Sequence, residues 1–221
     1  MLRSYTLPFL LVLVVCSVAA KQGPLKRTYT LSGFSSVVVS GPIEATIEIG
    51  EVGEVIAQAN YQWLLDKMSI KKKGKVLQVK LEGGINLSSS NDMPRVTIVT
   101  DKLTGIQALN TASVTVEGSP PKVTKFTGVS SKVSSLTLPS MEADTFYLTA
   151  SDVSTLRISG KSTKSIVVAT DMGTIDGDGL TCRTAYINAD KMSNVKLRVE
   201  DFATATANEM SNIHVSGPAR V

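Results

Sequence analysis

The chain has 221 residues, of which 43% are hydrophobic, 19% charged and 5% aromatic, and its formal net charge at pH 7 is +4. This composition excludes an intrinsically disordered chain, and the small positive charge argues against a nucleic-acid-binding protein. Because Ser, Thr, Val, Gly and Asn are abundant and long apolar helical patterns are missing after the first twenty residues, the sequence predicts an all-β fold.

Residues 1–20 are typical of a secretory signal peptide, with Arg3 as the positive charge, an apolar stretch over 7–15 and small residues at 18–20. We expect a mature chain that starts at Lys21, has no transmembrane segment and is secreted or held in the cell envelope. Its net charge would be +3, since only Arg3 is lost among the charged residues. Cys16 lies in a loose match to a bacterial lipoprotein box, in which Val15 stands where a small residue is preferred.

Residues 21–33 form a polar lead-in for which little structure is predicted. From Phe34 to residue 106, period-2 alternation predicts a section rich in strands and hairpins. Lys73-Gly74 predicts a hairpin tip with solvated lysines around it, the alternative being a patch for an anionic glycan or a membrane surface. The predicted strands are 34–39, 45–49, 54–59, 68–72, 76–81 and 95–100.

One helical turn is predicted, over residues 61–66, with Asn60 as its cap. Trp63 stands beside two leucines, which favours core packing, while an exposed indole could instead contact a sugar ring. Asn86 begins an Asn-Leu-Ser sequon in a predicted surface loop, which matters only in a eukaryotic host. Cys182 is the one cysteine after residue 20, so we expect no internal disulfide and a small buried thiol, with a reactive cysteine as the alternative.

A seven-residue phrase occurs four times between Ala150 and Ile213, at 150–156, 169–175, 189–195 and 207–213, and two degenerate copies precede it. The aliphatic residues that close the six copies are 22, 20, 19, 20 and 18 residues apart: Val114, Leu136, Leu156, Ile175, Val195 and Ile213. This period predicts a β-helix over 107–221 with one coil of about 20 residues per repeat, continuous with the strand-rich section before it. A leucine-rich repeat has a similar period, but its asparagine ladder in a leucine framework is absent from the sequence.

Like residues recur at like offsets, which predicts side-chain ladders along the axis of the β-helix. Four inward columns are expected, while the Ser, Gly, Thr and Asn in the middle of each phrase predict a sharp corner. The first column consists of the closing aliphatic residues. The second lies two positions after them: Val116, Leu138, Ile158, Gly177, Leu197 and Val215. The third lies three positions before them: Thr111, Val133, Val153, Met172, Met192 and Met210. The fourth is Leu148, Val167, Ile187 and Ala205.

One column of the phrase carries acidic side chains, which the ladder scheme leaves unexplained. Stacked carboxylates about 5 Å apart could bind Ca²⁺ through their oxygens, whereas the simpler interpretation is a solvated corner in which Lys191 relieves the repulsion. The Ca²⁺ candidates are Asp152, Asp171 and Glu209, with Asp190 beside the column and Asp176 and Asp178 in a separate acidic turn. No other cofactor is predicted.

Enzymatic activity is the less favoured interpretation. A β-helical polysaccharide lyase or hydrolase would have to use Asp171, Asp176, Asp178 or Asp190. His214, the only histidine, follows Ile213 in an alternating strand and is expected to point outward, which gives little support to a zinc site or a catalytic triad.

The opening Phe34-Ser35-Ser36-Val37, the segment 101–106 and the closing phrases 208–213 and 216–218 resemble the GIN domain, the head domain of an auto-transporter adhesin family. The resemblance covers 34–221 as a single domain. The chain departs from the usual Ser-Gly-Ala-Ser corner, with Thr149-Ala150-Ser151 and Asn188-Ala189-Asp190 in its place. The resemblance implies a secreted or surface-attached β-helical protein, with adhesion suggested by the family name and no catalytic residue carried over.

These observations predict a non-catalytic adhesin or extracellular binding module that contacts a cell-surface glycan or protein. The alternatives are the carbohydrate-active enzyme and a structural envelope protein. Self-association through the last coil is also expected if no turn ends strand pairing at Gly217-Pro218, because solenoids normally shield their terminal coil.

Overall fold

The computed structural model describes residues 24–51, 53–82 and 92–221, which form fifteen strands and one short helix. The predicted signal peptide, Cys16 and the Asn86 sequon lie outside the described residues. Within the described ranges, no helix is long and apolar enough to span a membrane.

The N-terminal elements are β1 Leu25–Thr30, β2 Ser36–Ser40, β3 Glu44–Ile49, β4 Glu54–Ala59, α1 Gln62–Lys67, β5 Met68–Lys73, β6 Val76–Leu81 and β7 Arg95–Thr100. The later strands are β8 Gly105–Leu109, β9 Ser113–Glu117, β10 Val123–Ser131, β11 Ser135–Ser151, β12 Thr155–Ala169, β13 Thr174–Ala189, β14 Asn194–Ala207 and β15 Asn212–Ser216.

The C-terminal half is a β-helix, as the repeat predicts. Strands β11 to β14 pair in parallel, and Leu136 lies opposite Leu156, which lies opposite Ile175, which lies opposite Val195. The pairing register therefore equals the spacing of the repeat, so each repeat forms one coil. Coils of this kind bury a continuous core that no single repeat could bury alone.

Each long strand bends and contributes to two sheets. Sheet A contains β1, β4, β7, β3, β9, the first segments of β11 to β14, and β15. Sheet B contains β5, β6, β2, β8, β10 and the last segments of β11 to β14. A short connecting segment joins them; in β11 it is Met141–Ala143, which pairs with Gly160–Ser162 after a register shift.

The N-terminal section continues both sheets. Strands β2 and β6 extend sheet B in parallel, and β3 and β7 extend sheet A in parallel, so the predicted continuity is confirmed. Antiparallel pairing appears at the ends: β5 pairs with β6 in the predicted hairpin at Lys73-Gly74, and β1 pairs with β4. The lead-in prediction is wrong for Leu25–Thr30, which forms β1, because its half-buried alternate residues cover the edge of sheet A.

Three of the predicted inward columns are confirmed over most of their length. The closing aliphatic residues and those two positions later are buried from Val114 to Leu197, and Leu148, Val167 and Ile187 are buried as well. Ala205 is the exception, since its strand β14 belongs to the last coil. There the Gly217-Pro218 turn brings Arg220 back to pair with Phe202, which ends strand pairing over part of that edge.

Candidate functional site

The repeated phrase forms the corner between sheet B of one coil and sheet A of the next. Its third and fourth residues both have left-handed backbone, with φ of 54° at Asp152 and 60° at Val153, and the same pair of positive φ values recurs in all six copies. This conformation turns peptide groups along the axis, so the N–H of Val153 donates to the carbonyl of Asp171 at 3.0 Å. The corner is therefore a hydrogen-bonded ladder in its own right.

In four of the six corners a serine fixes the coil to the previous one. The Oγ atoms of Ser134, Ser154 and Ser193 are buried and donate to carbonyl oxygens of the preceding corner at 2.7 to 2.9 Å. Each also accepts from a backbone N–H three residues earlier. The prediction of a corner at these positions is confirmed, and the small residues are required because the hydroxyl must reach the backbone from within the turn.

The third predicted inward column is wrong. Val133, Val153, Met172, Met192 and Met210 point into solvent, with exposed fractions between 48% and 85%. Two consecutive left-handed residues interrupt the alternation of a strand, so counting positions through the corner assigns the wrong face. The sequence pattern does not predict the exposure of these large apolar side chains.

The acidic column lies on the same corner, next to these apolar residues. Asp171 Oδ1 forms an ion pair with Lys191 Nζ at 3.2 Å, which raises the pKa of Lys191. Asp152 Oδ2 accepts from the hydroxyls of Ser131 and Ser151 at 3.0 and 3.1 Å. Across the part of the chain that the structure describes, no three His, Cys, Asp or Glu side chains are grouped to hold a metal ion. Ca²⁺ binding by this column stays a prediction.

The second acidic turn is not brought together with the corner. Asp176 lies in sheet A, between Arg157 of β12 and Lys196 of β14 in the parallel register. Asp178 follows as an exposed residue. Glu209 and Asp190 remain at the corner, so the structure divides the six candidate ligands between two places.

An open groove of about 420 Å³ runs along the connecting segments and is lined by charged side chains. Glu142 and Glu200 are its carboxylates, on β11 and β14, whose backbones lie three strand spacings or about 14 Å apart. Lys122 and Arg183 in the groove are paired with Asp144 and Asp201, so the groove is electrostatically mixed.

The outer surface of sheet B carries aromatic side chains that the sequence reasoning missed. Tyr147 and Tyr186 are 37% and 46% exposed and stand in one column with Ile166 between them, two strands or about 9.6 Å apart. Lys164 Nζ lies 4.7 Å from the centroid of the Tyr186 ring.

Period-2 alternation could have identified this surface of sheet B, which we call the tyrosine face. Its three outward columns contain no carboxylate: Lys125, Thr145, Lys164, Thr184 and Phe202; Thr127, Tyr147, Ile166, Tyr186 and Thr204; Val129, Thr149, Val168, Asn188 and Thr206.

Helix α1 presents a second aromatic surface. Trp63 is 44% exposed and stacks on Tyr61 at a centroid distance of 6.3 Å, with Lys67 Nζ 5.7 Å from the indole. The interpretation of Trp63 as a core residue is therefore wrong, because Leu64 and Leu65 supply the buried face of this short helix. Asn60 is not the cap either: Tyr61 occupies that position without a side-chain hydrogen bond to the helix.

Cys182 and His214 lie where the sequence predicts. Cys182 is a buried free thiol beside Ser165, and burial raises its pKa to about 11. His214 is exposed on β15, in register with Lys196. The thiol is therefore a core group with little thiolate at neutral pH.

Comparison with known proteins assigns the domain. Residues 33–219 match the family model described as "Putative auto-transporter adhesin, head GIN domain". No curated protein matches the chain.

Solved structures share the fold at low sequence identity. A putative adhesin from Bacteroides fragilis superposes with a TM-score of 0.72 at 11% identity, covering 90% of this chain and 96% of that one. A putative adhesin from Parabacteroides distasonis gives 0.57 at 14% identity, with 90% and 97% covered. A protein from the same species named as a putative lipid binding protein gives 0.57 at 12% identity, with 90% and 91% covered. At these identities the similarity establishes the β-helical fold alone.

Proposed function

Because the chain belongs to the family of auto-transporter adhesin head domains with the GIN fold, we propose that it is a non-catalytic extracellular adhesion module that binds acidic cell-surface glycans through its tyrosine face. Family membership points to a cell-surface or extracellular location, in line with the predicted signal peptide. The tyrosine face is the observation that carries the proposal.

The chemistry of this face suits a sugar chain with carboxylate or sulfate groups. The apolar side of a pyranose ring stacks on an exposed aromatic ring, and Tyr147 and Tyr186 offer two such rings on a flat and rigid sheet. Lys125 and Lys164 supply the positive charge, while the outward columns have no carboxylate to repel an anion. Threonine hydroxyls along the same columns can hydrogen-bond sugar hydroxyls.

The placement of the acidic side chains supports the non-catalytic part of the proposal. The groove carboxylates Glu142 and Glu200 lie on β11 and β14, which are separated by β12 and β13. The acidic residues favoured for catalysis from the sequence are divided between the corner and sheet A. Asp171, the first of them, is engaged by Lys191.

A glycan array followed by titration calorimetry on the best acidic glycan tests the proposal. The double variant Tyr147→Ala/Tyr186→Ala should raise the dissociation constant by at least about fivefold, since each lost stacking contact contributes about 0.5–1.5 kcal/mol. The matched control is Tyr61→Ala/Trp63→Ala, which removes the exposed aromatic pair of α1 and should leave binding unchanged.

Two results would contradict the proposal. Absence of binding to every glycan by the folded protein would overturn the adhesion function itself. Binding that survives the sheet B double variant but is lost with Tyr61→Ala/Trp63→Ala would place the glycan on helix α1 and overturn the assignment to the tyrosine face.

A further inference from the structure

A line of exposed apolar side chains follows the corner of the β-helix on successive coils. It consists of Val133, Val153, Met172, Met192 and Met210, and we call it the apolar ridge. The N–H groups of the first four members donate at 2.9 to 3.0 Å to carbonyls of the next coil, so the side chains are held about 4.8 Å apart along a rigid edge. The ridge is about 19 Å long between its end members.

Valine and methionine are energetically unfavourable residues for an exposed corner with left-handed backbone. A left-handed backbone favours glycine or asparagine, and a β-branched residue such as Val133 or Val153 is strained there. Burial in the core does not offset this strain, because the side chains remain about half exposed or more. Contiguous exposed apolar side chains on a soluble domain typically mark an interaction surface.

The residue before each ridge member carries a charge, and the order of these charges determines how two ridges can align. Along the axis the order is Lys132, Asp152, Asp171, Lys191 and Glu209. When a second copy of this series is aligned with it in the opposite direction, opposite charges face each other at four of the five coils. Only the central Asp171 meets its own copy, and it is already paired with Lys191 at 3.2 Å.

We propose that the apolar ridge is the interface for a second copy of this chain, packed antiparallel about a two-fold axis at the Asp171 coil. In this arrangement Lys132 of one copy faces Glu209 of the other, and Asp152 faces Lys191. A two-fold interface needs a self-complementary surface, which this charge order provides. A parallel alignment in register would instead oppose like charges at all five coils.

The side-chain sizes fit the same arrangement. Val133 meets Met210 and Val153 meets Met192, so a short residue faces a long one, while Met172 packs on Met172 at the axis. Alternation of small and large residues lets facing rows interdigitate. A single line of five side chains buries less than the roughly 800 Å² per partner of a standard interface, so the dimer dissociates readily.

Sedimentation velocity over a concentration series tests the interface. Met172→Asn/Met192→Asn suits the left-handed backbone and removes the apolar contact, so it should fold normally and sediment as a monomer. Lys132→Glu should raise the dimer dissociation constant by about tenfold, because two exposed ion pairs become repulsive. Adding Glu209→Lys to Lys132→Glu restores opposite charges and should restore dimerisation.

Cross-linking tests the antiparallel geometry. In a Cys16→Ser background, where Cys182 is buried, Met172→Cys should form an intermolecular disulfide under mild oxidation because it lies on the two-fold axis. The control Val133→Cys should not, since the two copies of residue 133 would be about 19 Å apart.

A strictly monomeric protein at millimolar concentration, a dimer unaffected by Met172→Asn/Met192→Asn, or cross-linking of Val133→Cys at the rate of Met172→Cys would each overturn this interface. Glycan binding by the tyrosine face involves none of these residues. Failure of one proposal therefore leaves the other standing.

Discussion

Ser154 donates a hydrogen bond from its Oγ to the carbonyl oxygen of Ser130, 2.7 Å away and one coil earlier. The same hydroxyl accepts the N–H of Ser151 at 3.0 Å. One buried side chain thus joins two successive corners and also closes its own turn. Since coils contact only their neighbours, such links determine how well each coil is attached to the next.

Ser154→Ala is predicted to lower the free energy of unfolding by about 1–2 kcal/mol, because it removes two hydrogen bonds from a buried site. Chemical denaturation followed by circular dichroism measures the change. Ser119→Ala, at an exposed serine outside the corners, serves as the control and should change stability by less than about 0.5 kcal/mol. Equal effects of the two substitutions would contradict the role of the corner serine.

Gly173→Ser is predicted to destabilise the protein, although serine stands at the same place in four other corners. A Cβ atom at Gly173 would lie 2.2 Å from the carbonyl oxygen of Ala150. The backbone at Gly173 therefore leaves less room for a side chain than the backbone at Ser154 does. We expect a loss of about 1–3 kcal/mol in the free energy of unfolding, the usual range for overpacking. A gain in melting temperature, as a consensus argument predicts, would show that this corner relaxes to the serine geometry.

Val153→Asn is predicted to raise the free energy of unfolding by about 0.5–1 kcal/mol. Val153 has φ of 60° and is 53% exposed, so asparagine relieves backbone strain without loss of core packing. Val129→Asn is the control, because Val129 lies in an ordinary strand where the same change lowers β propensity. If both variants lose stability, the left-handed corner is not strained by valine.

The sequence predicts the fold because coil length and register come from the same repeat. Leu136 and Leu156 are twenty residues apart and also pair directly. The outward turn of Met172 could not be predicted by counting, since it depends on two left-handed residues that no periodicity rule includes. Alternation with buried neighbours is enough to predict that Tyr147 and Tyr186 point outward. That they stand in one column follows only from the pairing register of the strands. Lys132 and Glu209 lie at opposite ends of the ridge, and only the proposed pair of molecules relates them to each other.

Gly160→Ala is predicted to prevent folding or to cost more than about 4 kcal/mol. Gly160 has φ of 131°, and a Cβ there would lie 1.8 Å from the carbonyl oxygen of Met141, at the register shift between β11 and β12. A clash with backbone cannot be relieved by a rotamer change, and effects of this size are exceptional. Gly74→Ala is the matched control: Gly74 also has positive φ but open space around it, so only the left-handed cost of about 1–2 kcal/mol is expected. Soluble yield and thermal melting distinguish the two; equal effects would contradict the steric argument.

The buried thiol makes stability depend on pH above 9. Burial raises the pKa of Cys182 from 9.0 to about 11, so between these values the unfolded state loses a proton that the folded state retains. Stability is therefore unaffected by this group below pH 9 and falls as the pH rises towards 11. Between pH 8 and 10.5 the free energy of unfolding of the natural protein should fall by about 1–2 kcal/mol more than that of Cys182→Ala, as measured in matched denaturation curves. At pH 8 a thiol reagent should modify Cys182 only at the rate of unfolding; rapid modification of the native protein, or parallel pH curves for the two proteins, would contradict the prediction.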